Sequence, residues 1–473
     1  MTHKQVLLTL LIVMGWLGYT QDLNQKSYSL EECISIALEN NLDLKSADLL
    51  ANSARVSHQQ SKANMLPSIN GNFNLGVNDG RSIDPFTNDF ITQELTFSNM
   101  GLSLDMTVFN GFRLLNQAKQ NRLNRKASEL EKEAAQQDLV LNVTLAYLQV
   151  LNSKAVLDLT KQRYETTKKQ LKIQEDFYEN ESGNPADYAD ILGQIANDET
   201  SVLNSESNFN NAKLTLVRLL NLQETIDIEA ESILLDFEKY NLSAEAVYNE
   251  ALQNLATFKA NELRIEAAKK GVSVAKSQFT PQVSIFGGVN TNYSSAAQLF
   301  NSTGSSLMET GDFVTVDGQD LPVITEQTNF VAESIGYEDQ LDNNLNTVVG
   351  LAVNVPLFNG FRAKNNVALE KIRVEESILE LERTHLDIKN AIAQVHFDME
   401  AVYNRCQSLL KQVEAYEESY RINEIRFNNG VSNFLNYVTS KNNLDNAKVN
   451  LTNARYEYLL RVKVLDYYRG IAN

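Results

Sequence analysis

The sequence contains two copies of one pattern, and this internal repeat restricts the possible folds more than any other feature. Two landmarks occur in the same order in each half: Met65-Leu66-Pro67-Ser68-Ile69 then Phe109-Asn110-Gly111-Phe112-Arg113, and Phe279-Thr280-Pro281-Gln282-Val283 then Phe358-Asn359-Gly360-Phe361-Arg362. Turn sequences follow in both halves, at 181–185 and 428–432. We therefore predict two repeats, 29–222 and 243–470, each in the order helix, strand, strand, long helix, turn, helix.

The first residues have the pattern of a secretory signal peptide. Lys4 supplies a basic start, and an apolar run covers 6–17. Because this run is too short to span a bilayer, we favour a signal peptide at 1–20 over a buried N-terminal helix. The mature chain, 21–473, is then expected to form a single fold.

Four segments alternate apolar and polar residues with the period of a β-strand. We predict two β-hairpins from them, 68–108 and 282–357, with strands of about ten residues, the length that crosses a bilayer when tilted. A soluble sheet with one buried face is the alternative. The apolar positions are Ile69, Phe73, Leu75, Val77, Leu102, Leu104, Met106, Val108, Val283, Ile285, Val289, Leu351, Val353, Val355 and Leu357.

The distribution of cations favours lipid on the apolar face. No Lys or Arg occurs at 277–361, and Arg81 alone occurs between 63 and 112. A cation facing lipid at the midplane costs about 2–4 kcal/mol. We also predict an aromatic girdle at one membrane interface, formed by Phe109, Phe112, Phe358 and Phe361.

Four strands are too few to close a barrel, and open sheet edges are not tolerated in lipid. The chain is therefore expected to associate with copies of itself, and the residues alone allow two, three or four copies. Proline-free stretches at 112–177 and 361–426 predict two helices, each about 100 Å long. Shorter helices are expected at 29–63, 188–220, 244–277 and 434–469. Beyond the first twenty residues we expect no membrane-spanning helix.

The chain lacks the residue patterns of a catalytic or metal site. Cys33 and Cys406 are far apart in the sequence, and His385 and His396 would lie roughly 16 Å apart on one helix. The net charge of −18 disfavours binding to nucleic acid. We therefore predict no enzyme activity, no catalytic residue, no metal and no cofactor.

Several motifs together resemble the TolC-like outer-membrane efflux protein family over nearly the whole mature chain. They are the Pro67 and Pro281 junctions, the paired Phe-Asn-Gly-Phe-Arg motifs, the turns at 183–188 and 427–434, and the segments 443–448 and 454–458. The resemblance implies an α+β membrane protein: a homotrimer with a shared twelve-stranded β-barrel, continued by an α-helical barrel that projects from the outer membrane into the periplasm. It also implies a periplasmic adaptor and an inner-membrane pump as partners.

The resemblance also assigns roles to residues. The two turns would form the periplasmic tip, where the adaptor docks: Gly183, Asn184, Pro185, Asp187, Asp190, Asn429, Gly430, Ser432 and Asn436. Asp187 and Asp190 are the candidates for an acidic aperture, whereas Asn436 and Thr439 stand where some family members carry aspartates. Helix capping is the alternative role of the two aspartates. Helix–strand junctions are expected at Pro67, Pro281, Gly111 and Gly360.

The segment 294–344 is rich in Ser, Gly, Thr, Asn and acidic residues. We predict a long extracellular loop, which is either merely solvated or binds divalent ions or lipopolysaccharide. Two other functions remain open at this point. One is an adhesion protein with a coiled-coil stalk on a trimeric barrel, and the other is a soluble periplasmic enzyme.

Overall fold

The computed structural model describes residues 27–83, 88–92, 94–180, 184–223, 227–228 and 238–471. The predicted signal peptide lies outside these residues. The chain divides into two compact units. Of the described residues, those within 27–54, 124–265 and 376–471 form the helical unit, and those within 55–123 and 266–375 form the sheet unit.

The described helices are α1 (Leu30–Asn40), α2 (Leu42–Ala63), α3 (Arg113–Glu179), α4 (Pro185–Leu220), α5 (Ala244–Asn254), α6 (Ala256–Lys276), α7 (Tyr337–Asn343), α8 (Arg362–Asn428) and α9 (Phe434–Tyr468). The described strands are β1 (Ser27–Tyr28), β2 (Ser68–Asn78), β3 (Arg81–Ile83), β4 (Phe90–Thr92), β5 (Leu95–Phe109), β6 (Asp227–Ile228), β7 (Gln282–Ser294), β8 (Gln298–Val316), β9 (Gln319–Ser334) and β10 (Asn346–Asn354).

The long helices α3 and α8 have 67 residues each, as the absence of proline predicted. An 18-residue window of α3 has a mean hydropathy of 1.2, so one described helix is apolar enough to cross a membrane, contrary to expectation. Part of this apolar surface, 44% of the window, is packed inside the protein, and Val143, Tyr147 and Val150 lie in a core with Leu216 and Leu220 of α4. The apolar run is therefore explained by helix packing.

A second core in the helical unit repeats this arrangement with residues of the second half. Val247 and Ala251 of α5 pack with Ile392 and Met399 of α8 and with Tyr458 of α9. The Tyr458 hydroxyl donates to the Glu238 carbonyl at 2.7 Å, so this buried ring has its polar atom satisfied.

The shorter helices before each hairpin are broken, although one continuous helix was predicted in each place. Asn41 separates α1 from α2, and Leu255 separates α5 from α6, both with extended backbone. At the first break the Asn41 side chain accepts from the backbone N–H of Asp43 at 2.9 Å and of Leu44 at 3.1 Å. Asn41 thus caps the start of α2.

Four strands form one antiparallel sheet in the order β10-β7-β5-β2. The second predicted strand is longer than expected, since β5 begins at Leu95. The fourth strand lies earlier in the chain than predicted, from Asn346 to Asn354, so that Val355 and Leu357 lie past its end. Pro356 explains this boundary, because proline has no N–H to donate to a ladder.

The segment predicted as a loop at 294–344 contains regular structure. β8 and β9 pair in an antiparallel hairpin from Gln298↔Ser334 to Val316↔Gln319, and α7 follows. Gln340 of α7 holds the end of β7, since its side chain accepts from Ser294 N–H at 2.9 Å and donates to the Ser294 carbonyl at 3.0 Å. Two register shifts interrupt the β8–β9 pairing, so strict alternation is lost in the sequence.

Candidate functional site

The first of the two interhelical turns joins α3 to α4. Its described part is the capped N-terminus of α4. Asn184 is the N-cap, and its side chain accepts from the Ala186 N–H at 3.1 Å. Pro185 occupies the first helical turn, where its missing N–H is not needed. Asn184 Nδ2 lies 3.4 Å from Asp187 Oδ1. Gly183, which was also assigned to this turn, lies outside the described residues.

The two aspartates of this turn lie on adjacent positions of one helical face. Partial burial, together with the neighbouring carboxylate of Asp190, raises the pKa of Asp187. The positive end of the helix dipole acts in the opposite direction.

The second interhelical turn joins α8 to α9. The end of α8 and the start of α9 are both capped. Gly430 has a φ of 71°, and Val431 N–H donates to the Arg426 carbonyl at 2.8 Å, which is a glycine helix end. On the other side Asn433 caps α9, accepting from the Asn436 N–H at 3.0 Å. Asn429 and Asn436 are exposed, and Ser432 is half-buried. No acidic side chain lies in the first turn of α9.

An aromatic cluster, which the sequence did not reveal, lies beside these turns. Ile191 of α4 is buried with Phe434 and Tyr437 of α9. The ring of Phe427 stacks on Tyr437 with centroids 5.0 Å apart, and Tyr178 stacks on Tyr188 at 4.7 Å. Burial raises the pKa of Tyr437. The cluster joins α4 to the hairpin of α8 and α9 through apolar contacts.

A buried polar network forms a second connection among the helices. Asp198 of α4 is fully buried, and Arg163 of α3 places Nε 2.8 Å from Asp198 Oδ1 in an ion pair. Thr167 donates to Asp198 Oδ2 at 2.6 Å, and Gln194 donates to Oδ1 at 2.7 Å. The carboxylate therefore has charged and neutral partners, as a buried charge requires.

Residues of α9 extend this network to a third helix. Lys441 is buried and places Nζ 3.2 Å from Thr167 Oγ1 and 3.0 Å from Asp445 Oδ2. Arg163 also donates to Asn442 at 3.1 Å. Charged residues on α3, α4 and α9 thus meet in one buried group. Sequence reasoning missed it because charges on long helices are usually solvated, and their pairing depends on tertiary packing.

The helix–strand junctions have the same unusual backbone in both halves. Gly111 and Phe112 have φ of 64° and 62°, and Gly360 and Phe361 have φ of 61° and 63°. Two consecutive left-handed residues reverse the chain from strand to helix, and the glycine adopts this conformation without a Cβ penalty. The prolines of the other junctions, Pro67 and Pro281, each stand immediately before a strand.

The aromatic residues of these junctions pack in pairs. Phe109 and Phe112 meet edge to face at 5.5 Å, and Phe358 and Phe361 do so at 5.6 Å. Phe358 is 78% exposed, whereas Phe109 is 37% exposed. The structure thus forms two separate pairs from the four predicted girdle residues.

The four-stranded sheet has one apolar face, and that face is exposed. Cross-strand pairs such as Ile69↔Leu104, Leu102↔Val289 and Leu351↔Ile285 align the apolar residues of all four strands. The exposed apolar side chains on this face include Ile69, Phe73, Leu75, Val77, Leu102, Val349, Leu351 and Val353. Soluble proteins rarely expose an apolar surface of this extent.

A profile of the family described as outer membrane efflux protein matches the chain twice, over residues 33–222 and 247–468. The chain belongs to this family. The two tandem matches confirm the internal repeat. Members of the family are outer-membrane proteins, and this chain accordingly lies in the outer membrane.

Named relatives support this assignment. The cation efflux system protein CusC of Escherichia coli O157:H7 is 24% identical over 414 residues, which cover 85% of this chain and 75% of CusC. The outer membrane protein TolC of Vibrio cholerae is 23% identical over 459 residues, which cover 92% of this chain and 89% of TolC. Nothing in these similarities supports an adhesion protein.

Solved structures show the same fold. A crystal structure of CusC aligns with a TM-score of 0.73 at 18% identity, and the alignment covers 96% of this chain and 94% of CusC. The CmeC outer membrane channel of Campylobacter jejuni aligns with a TM-score of 0.74 at 16% identity, covering 94% of this chain and 86% of CmeC. The predicted combination of a β-barrel with an α-helical barrel is therefore confirmed.

His385, His396 and the two cysteines contact other residues of the helical unit. His385 Nδ1 lies 3.0 Å from the Tyr248 hydroxyl, and His396 Nε2 lies 2.9 Å from the Leu242 carbonyl. Burial raises the pKa of Cys33 to about 12 and that of Cys406 to about 11, so both thiols stay protonated at neutral pH. Within the described residues, no group of three His, Cys, Asp or Glu could hold a metal ion.

Proposed function

We propose that the chain is one subunit of a passive exit duct that works with a periplasmic adaptor and an inner-membrane pump. The exposed apolar face of the open-edged sheet carries this proposal. Its backbone edges on β2 and β10 need hydrogen-bond partners, and lipid offers none. Copies of the same chain supply the partners and the barrel closes, which turns the exposed face into a lipid-contacting surface.

Three copies are the number that the family relationship favours. TolC-family channels are homotrimers, and three four-stranded sectors give a barrel of twelve strands, above the minimum of about eight for known barrels. The paired rings at Phe109, Phe112, Phe358 and Phe361 then form the girdle at one membrane interface.

The duct performs no chemistry on its cargo. A solute moves through an aqueous lumen, and the energy for transport comes from the pump. The relatives are named as efflux and export proteins, in agreement with a conducting role. The protein is accordingly a channel and not an enzyme.

The two helical turns form the periplasmic tip, where the duct narrows and the adaptor docks. Asp187 and Asp190 supply negative charge at the first turn, and the neutral Asn436 supplies none at the second. The acidic character of the aperture then rests on α4 alone. The tip opens when its helices splay apart, which requires the aromatic cluster around Phe434 and Tyr437 to loosen.

A reversible cross-link at the tip tests this function. Asp187→Cys, joined between copies by a thiol-specific cross-linker with an internal disulfide, should abolish export because the helices can no longer separate. Export is measured as cargo accumulation in cells that lack the native duct. Dithiothreitol should then restore it.

Two variants control for side effects of the substitution. Asp187→Ser removes the carboxylate without providing a thiol, and uncross-linked Asp187→Cys must behave like it. Undiminished export by the fully cross-linked protein would show that the tip does not gate the duct.

A further inference from the structure

The strands that the two halves of the chain contribute to the sheet correspond to each other position by position. The strand entries correspond through Pro67 and Pro281, and the strand exits correspond through Phe109 and Phe358. β2 therefore corresponds to β7, and β5 corresponds to β10.

The pairing within the hairpins confirms this equivalence. Ser68 pairs with Asp105 in the first hairpin, and Gln282 pairs with Asn354 in the second. Gln282 is the equivalent of Ser68 when counted from the prolines, and Asn354 is the equivalent of Asp105 when counted from the phenylalanines. Both hairpins thus have the same register.

The seam between the two hairpins lies inside the chain, where β5 pairs antiparallel with β7. The equivalent of β5 is β10, and the equivalent of β7 is β2. These two strands are the outer edges of the sheet. A seam between β10 of one copy and β2 of the next would therefore repeat the internal seam.

We propose that copies of the chain join along β10 and β2 in the register of the internal seam, with Gly350 of one copy opposite Gly76 of the next. This inference rests on the proposed function, since it requires a shared barrel. The internal pair Gly101↔Asn290 corresponds to Gly350 and Gly76 across the new seam. In the same way, Ser103↔Gly288 corresponds to Ala352 and Asn74.

Two phenylalanine rings support this register. Phe97 pairs with Gly76, and Phe286 pairs with Gly350. A Cβ on Gly76 would lie 2.8 Å from the Phe97 ring, and a Cβ on Gly350 would lie 2.3 Å from the Phe286 ring, so each ring covers its glycine. In the proposed register all four residues form one row across the seam. A ring covers a glycine on each side, and neither glycine presents a side chain to the other.

The apolar face gives an independent argument. The register places Leu351 opposite Leu75, Val353 opposite Phe73, and Val349 opposite Val77. The exposed apolar surface then continues across the seam without interruption. A slip of one residue would place these apolar side chains beside polar ones, because side chains alternate between the two faces.

The two junction glycines, Gly111 and Gly360, differ in what surrounds them. The space beside Gly360 is open to a residue of a neighbouring copy. A Cβ on Gly111 would lie 1.8 Å from Thr280 Oγ1, whereas nothing lies within 4 Å of the equivalent position on Gly360. The equivalent of Thr280 is Leu66, whose side chain is 68% exposed in the single chain. By this equivalence, Leu66 of the next copy packs against Gly360.

Disulfide formation between introduced cysteines tests the register. The first double variant, Ala352→Cys with Asn74→Cys, places two thiols directly opposite each other across the proposed seam. The second, Val353→Cys with Phe73→Cys, does the same one residue further along the strands. One of these adjacent pairs must be of the non-hydrogen-bonded type, which has the shorter Cα separation. Within one chain each pair lies on opposite edges of the sheet, so the strand spacing alone, about 4.8 Å per strand, separates the two positions by at least about 14 Å. This distance is too long for an internal disulfide.

Mild oxidation of outer membranes should convert at least one of these double variants to covalent multimers. The control, Ala352→Cys with Asn72→Cys, keeps the same face and is displaced by two residues, so we expect at least tenfold less cross-linking. More cross-linking in the control than in both test pairs would overturn the register while leaving a shared barrel. Detergent-stable oligomers without any cross-link would overturn the seam. A protein that stays a single chain would overturn the proposed function as well.

Discussion

Among single residues, Asp198 is an acidic side chain that is completely buried. Its ion pair with Arg163 and its bonds to Thr167 and Gln194 satisfy the carboxylate inside the helical unit. Buried ion pairs add little to stability compared with apolar residues of the same shape, but removal of one partner leaves the other charge uncompensated. The network is therefore best understood as a device that holds α3, α4 and α9 in one arrangement.

Asp198→Ala should lower the free energy of unfolding by about 3 kcal/mol, because the nearly buried Arg163 then loses its close carboxylate and keeps only that of Asp445, 3.9 Å from its Nε. Chemical denaturation of the detergent-solubilised protein, followed by circular dichroism, measures the change. Glu206→Ala is the matched control, since Glu206 pairs with Lys161 between the same two helices at 2.9 Å and both side chains are exposed. A solvated pair contributes at most about 1 kcal/mol. Equal losses in the two variants would show that burial of Asp198 has no special role.

Among the elements, the strands and long helices could be predicted because their signals are local. Alternation at Ile69 to Val77 identifies a strand, and the lack of proline identifies α3 and α8. The break at Leu255 was missed because no proline or glycine marks it, and Asn41 at the equivalent break is a weak signal by itself. The β8–β9 hairpin was missed because its register shifts and its Ser, Thr and Gly content obscure the alternation.

The candidate site was predicted only in part. The capped turns at Asn184 and Gly430 follow from residue types that prefer such positions. The aromatic cluster and the Asp198 network could not be foreseen, since their members are distant in sequence and meet only when helices pack. The equivalence of the junction glycines was visible, but the different surroundings of Gly111 and Gly360 were not.

The two faces of β10 should respond differently to a cation. Leu351→Arg places a charge on the apolar face, and we expect it to destabilise the membrane-inserted barrel by about 2–4 kcal/mol if the site is near the midplane. Ala352→Arg is the control, because the adjacent residue faces the opposite side of the same strand and is also exposed. Insertion is measured as the amount of protein that resists extraction from outer membranes with alkaline carbonate.

The Leu351 result separates a lipid-contacting sheet from a soluble one. Both positions are exposed in the single chain, so a soluble sheet would tolerate both arginines equally. Equal recovery of the two variants from the membrane fraction would contradict a lipid-facing surface at Leu351.

The whole molecule is incomplete as a single chain. The sheet has an exposed apolar face, and β2 and β10 are its outer strands among the described residues. The repeat makes these two strands equivalent to strands that already pair within the chain. Family membership places the protein in the outer membrane, where both features require neighbouring copies and lipid. In the proposed function the duct arises from association, and each chain contributes two hairpins and the helices that continue them.

Native mass spectrometry of the detergent-extracted protein, without any cross-linker, tests this dependence on neighbouring copies most directly. We expect a species whose protein mass is that of three chains, which persists until the detergent conditions unfold the barrel. A water-soluble species with the mass of one folded chain would contradict the shared barrel and, with it, the exit duct.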